Sequence, residues 1–478
     1  MTETKNVDSV GAPDVSCEDY VYHLPEELIA AYPVEPRDSS RLLAKLTGLS
    51  RSKELSEKKR AVFTLEDSIL SHFASTKAKG QVLFDAHFRD LASLLPSNAH
   101  LVMNQSKVFP ARMFAQFDSD GGKTEVMFLD LEEKSPHNPT TDTSLALQKN
   151  CNLQEWRAMI RKVGIVAGSK TYKTFSEGVT NVKLSLRVTK VHSDWLEEEG
   201  NGVEATVQII REETDDDREV TMAEAFELFG TVPLPPYLGR ELEDGDRAKY
   251  QTVYAKDTSS GSVAAPTAGL HFTNNLLENL MKKGVKQSFV NLHVGAGTFR
   301  PITVDKISSH KMHREQFSVD KESIKEILAS LEEGKPIIPV GTTSVRVLES
   351  LYWFGSKLLN NEFSSNVCFD LGQWESYLLE QEFKRLPSAA ESLAALLKVG
   401  DDIAIKGSTS MCIAPGYKFR LCDGLITNFH QPHSTLMLLV GALMNSPETC
   451  KETYSHAVKE KYRFLSFGDA SLILNCQE

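Results

Sequence analysis

No Cys-x-x-Cys pair occurs among the seven cysteines, which lie scattered at Cys17, Cys151, Cys368, Cys412, Cys422, Cys450 and Cys476. Their odd number and wide spacing argue against a disulfide framework and a zinc knuckle, and free thiols are expected. Long apolar runs are missing too. The longest, Leu436 to Met444, is less than half of the roughly 20 residues that a membrane-crossing helix needs, so it reads as a buried helix and no membrane partner is expected. The opening residues Met1 to Asp8 carry neither the basic patch and apolar stretch of a secretory signal nor the acid-poor character of a transit peptide, so a cytoplasmic location is expected. Surplus positive charge is absent as well: 53 Lys and Arg stand against 65 Asp and Glu, a formal net charge of −12. That balance argues against broad adhesion to a phosphate backbone, so any nucleic-acid contact must be local.

What is present is ample core material. With 478 residues, 41% of them hydrophobic, the chain can build two or three ordinary domains without staples. Three polar, turn-rich stretches read as additions to a compact core, near 46–62, 131–152 and 356–400, and the last still holds an amphipathic helix around Ser388–Leu397. Glu212 to Asp217 reads as a solvated acidic loop. Between about 112 and 229, segments such as Val182–Val188 and Val203–Ile209 alternate apolar and polar residues, the period-two signature of half-buried strands. After residue 260 strands alternate with helices, which implies an α/β layer with a mixed or parallel sheet. There the pattern predicts a short strand at Ser262–Ala265, a helix from Thr273 to Lys283 with Thr273 as N-cap and Gly284 as stop, and a strand from Gln287 to Val294. Further helices are predicted over Lys321–Gly334, Ser344–Phe354 and Thr435–Met444, with a strand over Pro336–Val340.

Four segments concentrate chemistry at strand ends, where open α/β sheets build their ligand crevices. Ala264-Ala265-Pro266-Thr267-Ala268-Gly269-Leu270-His271 runs a strand into a turn that sets His271 just before a helix. Taken alone, this is also what a tight crossover with an internally satisfied histidine would show. His293-Val294-Gly295-Ala296-Gly297-Thr298-Phe299-Arg300 ends the next strand in a glycine loop that lets backbone approach a ligand closely. Two strand-end histidines on neighbouring strands are stronger than either alone, and the expectation is that their rings converge on one hollow. Val340-Gly341-Thr342-Thr343-Ser344-Val345-Arg346 opens a helix with free amides and hydroxyls, an anion site or an ordinary capped helix. Thr427-Asn428-Phe429-His430 ends another strand, with Ser434 able to cap the helix that follows. His310 and His313 could supply two metal ligands from one helical turn, yet no carboxylate or cysteine stands at a supporting spacing, and no metal is expected. Lys107, Arg112, Arg161, Lys162, Arg240, Arg247 and Lys249 are scattered basic residues that matter only if they converge.

Taken together, these segments and others resemble the S-adenosylmethionine:tRNA ribosyltransferase-isomerases of queuosine biosynthesis. The resemblance rests on Tyr22–Ala30 with Tyr32-Pro33 and Arg37–Leu42, on Val232–Tyr237, and on Asp246-Arg247 with Tyr250–Ala255. It continues through Ala264–Phe272, Leu292–Pro301, His310–His313, Val340–Ser350, Thr427–His430, Lys461–Phe464 and Gly468–Ala470. It implies a mixed α/β, barrel-like catalytic domain, here 1–111 with 230–478, carrying insertions near 46–62 and 356–400, and a smaller β-barrel-like domain inserted at 112–229. It also implies an enzyme that consumes S-adenosylmethionine as a substrate, without a cofactor, and acts on a tRNA bearing the queuosine precursor base; a monomer is expected.

For that reaction, their placement at the sheet edge makes His271 and His293 the candidates for the catalytic acid and base. Thr267, Gly269, Gly295, Gly297, Thr298 and Phe299 would shape the nucleoside site. Gly341, Thr342, Thr343, Ser344 and Arg346 would hold a carboxylate or phosphate, and Asn428 and His430 would close the pocket. Lys107, Arg112, Arg161 and Arg247 are the tRNA-binding candidates. Two departures stand out: Lys107 sits where the family carries a forked guanidinium, and Ala414 where it carries an aromatic. With the acidic insertions, they keep open a relative that cleaves S-adenosylmethionine for another acceptor, or an inert RNA- or nucleoside-binding one.

Overall fold

The computed structural model describes residues 11–47, 75–78, 81–117, 121–132, 135–140, 142–161, 165–177, 180–192, 202–212, 218–256, 260–295, 306–360, 369–400 and 403–475. The fold is mixed α/β, as expected. Its centre is four parallel strands in the spatial order β2-β1-β3-β4, namely β1 (His100–Asn104), β2 (Lys286–Leu292), β3 (Ile337–Val340) and β4 (Gly424–Asn428). Strands β1, β3 and β4 are buried at every position, which is why they read as apolar runs rather than alternating ones. Beyond β2 the sheet continues antiparallel through Glu315–Asp320 and Ala404–Thr409, and beyond β4 through Ala470–Asn475. Eleven described strands share this sheet.

Helices cover it where the sequence predicts them. Helix α1 (Asn274–Lys282) has the predicted cap, Thr273 Oγ1 accepting from Leu276 N at 3.2 Å, and ends at Gly284 with φ +92°. Helix α2 (Thr342–Leu359) starts two residues before the predicted Ser344 and runs almost wholly buried. Helix α3 (Thr435–Met444) matches its prediction, with Ser434 as N-cap. The short strand lies at Ser260–Ser262, ahead of the predicted Ser262–Ala265. Chain around 356–400 is no appendage: helix Ala389–Leu396 presses on α2 so closely that a Cβ on Gly355 would meet Ser392 O at 2.1 Å. Much of 46–62 and the acidic stretch to Asp217 lie outside the described residues.

The alternating middle segment closes on itself. Strands Arg112–Phe117, Lys123–Leu131, Glu155–Ile160, Val203–Arg211, Thr180–His192 and Lys170–Glu177 pair in sequence, and the last returns to the first through Phe117 and Thr171. The resulting six-stranded antiparallel barrel has no open edge, and helix Met222–Phe229 packs its buried face against the barrel's core. Phe226 packs there against Phe109, Phe128 and Trp156 with ring centroids 4.7, 5.1 and 5.7 Å away.

Candidate active site

At the carboxyl ends of β2, β3 and β4 lies a cleft of about 750 Å³, counting space open to solvent. Its walls come from the turn at Ala264–Ala268, from Val294 after β2, from Gly341–Thr343 at the start of α2, from Thr427–Gln431 at the end of β4, and from Ser434 and Leu436 at the start of α3. Tyr237, Leu465 and Ser466 complete it, with Tyr237 Oη and Ser466 Oγ 2.6 Å apart. None of these lining residues is Asp, Glu, Lys or Arg. Two helix N-termini open there instead, and Gly341 gives α2 no side-chain cap, so its first amides are offered to the cleft.

Two buried side-chain oxygens on these walls lack a hydrogen-bond partner among the described residues, Asn428 Oδ1 and Thr343 Oγ1. Burying an acceptor without a donor costs about 1–3 kcal/mol, so both favour a ligand that supplies one. Asn428 is held from behind. Its Nδ2 donates to Leu465 O at 3.1 Å and lies 3.1 Å from His271 Nε2, while His271 Nδ1 meets Ser40 Oγ at 2.9 Å. With Nε2 accepting, Nδ1 carries the ring proton and donates it to Ser40. Burial pulls His271 down to about 3, helped by Arg463 and Arg37, so this imidazole is neutral at pH 7.

The expected convergence of His271 and His293 is therefore corrected. His271 stands behind Asn428 rather than on the cleft wall. His293 is not on the cleft wall, which Val294 just beyond the end of β2 lines instead. His293 Nε2 instead meets Ser144 Oγ of the inserted unit at 3.1 Å, and its ring lies over Gly261, whose Cβ would sit 2.8 Å from it. Burial lowers it to about 4, with the Asp142 carboxylate opposing. Asp142 itself caps a short helix and reaches Lys406 Nζ at 2.9 Å, so His293 belongs to the junction between barrel and sheet.

The imidazole that does line the cleft is His430. Its Nε2 lies 2.8 Å from Thr427 Oγ1, its carbonyl accepts from the Tyr22 hydroxyl, and burial lowers it to about 4. Thr267, Gly341, Thr342, Thr343 and Asn428 line the cleft with it. Three other expected residues do not. Gly269 makes room for Tyr254, whose hydroxyl would lie 2.0 Å from a Cβ there. Ser344 Oγ is spent on Val340 O at 2.8 Å. Arg346 is committed to the Glu315 carboxylate, to Met411 O at 3.1 Å and to Thr409 O at 3.4 Å, so it is no free anion clamp. Gly295 faces the barrel's Asp130, and Gly297, Thr298 and Phe299 lie outside the described residues.

Among the tRNA candidates, Arg112 and Arg161 do converge, but on one carboxylate, Glu125, at 2.7 and 3.6 Å. Arg247 pairs with Glu227 at 2.5 Å, and Lys107 sits on a two-residue strand beside Ser260. No group of three or more His, Cys, Asp or Glu among the described residues is arranged to hold a metal ion. No described helix is long and apolar enough to cross a membrane. Sequence reasoning missed Ser40, Ser144 and Tyr237. Ser40 and Tyr237 fall inside stretches that carried the family resemblance, which was the available signal.

Comparison with known proteins agrees with that resemblance. Residues 54–473 match the family described as queuosine biosynthesis protein. The S-adenosylmethionine:tRNA ribosyltransferase-isomerase of Acetivibrio thermocellus is 35% identical over 459 residues, covering 95% of this chain and 98% of that protein. The enzyme of the same name from Staphylococcus haemolyticus is 33% identical over 465 residues, covering 96% and 100%. Among solved structures, the S-adenosylmethionine tRNA ribosyltransferase of Thermotoga maritima matches at 24% identity with a TM-score of 0.40, covering 95% of this chain and 100% of that one.

Proposed function

The chain belongs to the family of queuosine biosynthesis proteins, and on that premise we propose that it is an S-adenosylmethionine:tRNA ribosyltransferase-isomerase. It moves the ribosyl unit of S-adenosylmethionine onto the aminomethyl group of 7-aminomethyl-7-deazaguanine at the tRNA wobble position and isomerises it to an epoxycyclopentane. Adenine and methionine leave, and the base becomes epoxyqueuosine.

The observation that carries this reading is the uncharged cleft with two unpartnered oxygens at the ends of parallel strands. S-adenosylmethionine brings its own activation: the sulfonium acidifies the adjacent 5′-carbon, so a base need only take that proton to give a stabilised ylide. His430 is the imidazole placed to do so, neutral because it is buried. A positioned base contributes about 10²–10⁴ in rate. Asn428 Oδ1 accepts from a substrate N–H, such as the adenine amine, and the first turn of α2 receives the methionine carboxylate. His271 and Ser40 fix the amide of Asn428, and His293 keeps the barrel seated. No cofactor enters, since S-adenosylmethionine is consumed. The enzyme is read as a monomer, and a tRNA substrate supports a cytoplasmic location.

The test is incubation with S-adenosylmethionine and tRNA carrying the precursor base, following adenine and methionine. Release that requires the tRNA is the expected result. Release without tRNA would mean a cleaving enzyme with another acceptor, and binding without release would mean an inert relative.

A further inference from the structure

A second cavity of about 600 Å³ adjoins the first, and Leu436 lines both. Unlike the first, it is charged. Glu315 and Arg346 stand on its wall, 5% and 7% exposed. Met312, Met411 and Leu439 supply apolar faces beside them. Three acceptors fix the Arg346 guanidinium: Glu315 Oε2, Met411 O and Thr409 O. Glu315 is in turn anchored by the pairing of its strand with Thr409. Arg346 bonds this carboxylate through Oε2, which leaves Oε1 to face a second donor. The wall therefore presents a rigid carboxylate edge with accepting capacity left over, between side chains suited to a flat ring.

Resting on the function proposed above, we infer that Glu315, clamped by Arg346, reads the Watson–Crick edge of the 7-deazaguanine base. A guanine-type ring presents two adjacent donors there, N1–H and the 2-amino group, and a carboxylate is the acceptor that meets both. The reaction cleft offers no carboxylate of its own. Orientation supports the same assignment. The aminomethyl arm leaves the five-membered ring at the opposite end of the bicycle, so a base held at Glu315 points its nucleophile back past Leu436 toward S-adenosylmethionine. Methionine sulfur and leucine methyls then pack the ring faces, where sulfur–aromatic contacts are favourable.

The experiment compares two anticodon stem-loops, one carrying 7-aminomethyl-7-deazaguanine and one carrying the same base without its 2-amino group. The full protein should prefer the first in kcat/KM by roughly 10- to 100-fold, the usual discrimination of a bidentate base contact. Glu315→Gln should lower kcat/KM for the first substrate by a similar factor, reduce the preference to within about threefold, and leave the KM for S-adenosylmethionine unchanged. Removing one member of a buried ion pair can unfold a protein, so Glu315→Gln combined with Arg346→Gln removes both charges together and should show the same loss of preference. A wild-type enzyme indifferent to the 2-amino group, or variants that keep the preference, would overturn the inference. Failure of the wild type to turn over even the natural base would instead remove the function on which it rests.

Discussion

Asn428 and His271 share one hydrogen bond, Nδ2 to Nε2 at 3.1 Å, and that bond decides what the cleft sees. With Nδ2 spent there and on Leu465 O, only Oδ1 faces the ligand space, and the amide cannot flip without losing both contacts. An imidazole behind the cleft thereby sets the polarity of a group on its wall.

Replacing His271 with alanine should consequently lower kcat for adenine release by about 10–100-fold, because a misplacement of about 1 Å costs up to that much. The KM for tRNA should stay within a few-fold. His271→Gln, able to bond both Ser40 and Asn428, should recover much of the loss. Full activity in the alanine variant would show that the amide needs no support.

For His430 the expectation is different. His430→Ala should reduce the chemical step by about 10²–10⁴ while equilibrium binding of S-adenosylmethionine, measured by calorimetry, changes little. Undiminished single-turnover adenine release would remove this imidazole from proton transfer.

Gly261 and His293 offer a stability test away from the chemistry. A Cβ at Gly261 would lie 2.8 Å from the His293 ring, and its φ of +142° suits few other residues. Gly261→Ala should destabilise the protein by about 1–3 kcal/mol, read as a fall in Tm. Relieving the clash with His293→Ala in the same chain should restore part of it, and strictly additive losses would contradict the contact.

Acid should weaken the fold in a defined window. Burial holds His100, His293 and His430 near 4 and His271 near 3, against 6.5 when exposed. Between those values the unfolded chain binds more protons than the folded one, so stability is fully present above pH 6.5 and declines as pH falls toward 4. The urea midpoint should be lower at pH 5 than at pH 7.5, and His100→Gln, which removes a histidine bonded to Ser288 and Ser330, should narrow the gap. A midpoint that rises on acidification contradicts this assignment.

Much of the architecture was legible because local rules and tertiary packing agree. Thr273 caps α1, Gly284 stops it and Ser434 caps α3, each a short-range hydrogen bond or dihedral that spacing reveals. Period-two alternation in the middle segment marked the barrel strands but not their closure, which depends on Phe117 meeting Thr171. The site was harder to read. The predicted strand set His293 opposite Val294, yet nothing in its pattern says which residue borders the cleft. His271 finds Ser40 231 residues away and Arg346 finds Glu315 31 residues earlier, partners that residue spacing does not encode. Arg346 therefore read as a ligand clamp, although its charge is already matched.

Helix α2 carries Thr343 into one cavity and Arg346 into the other. Three residues of α-helix advance about 4.5 Å, so the offset between these two wall positions is built from covalent geometry and needs no moving lid to establish it. Stability of the rod thus becomes accuracy of alignment. One extra residue between the two would swing Arg346 by about 100° relative to Thr343 and put the two cavities out of register.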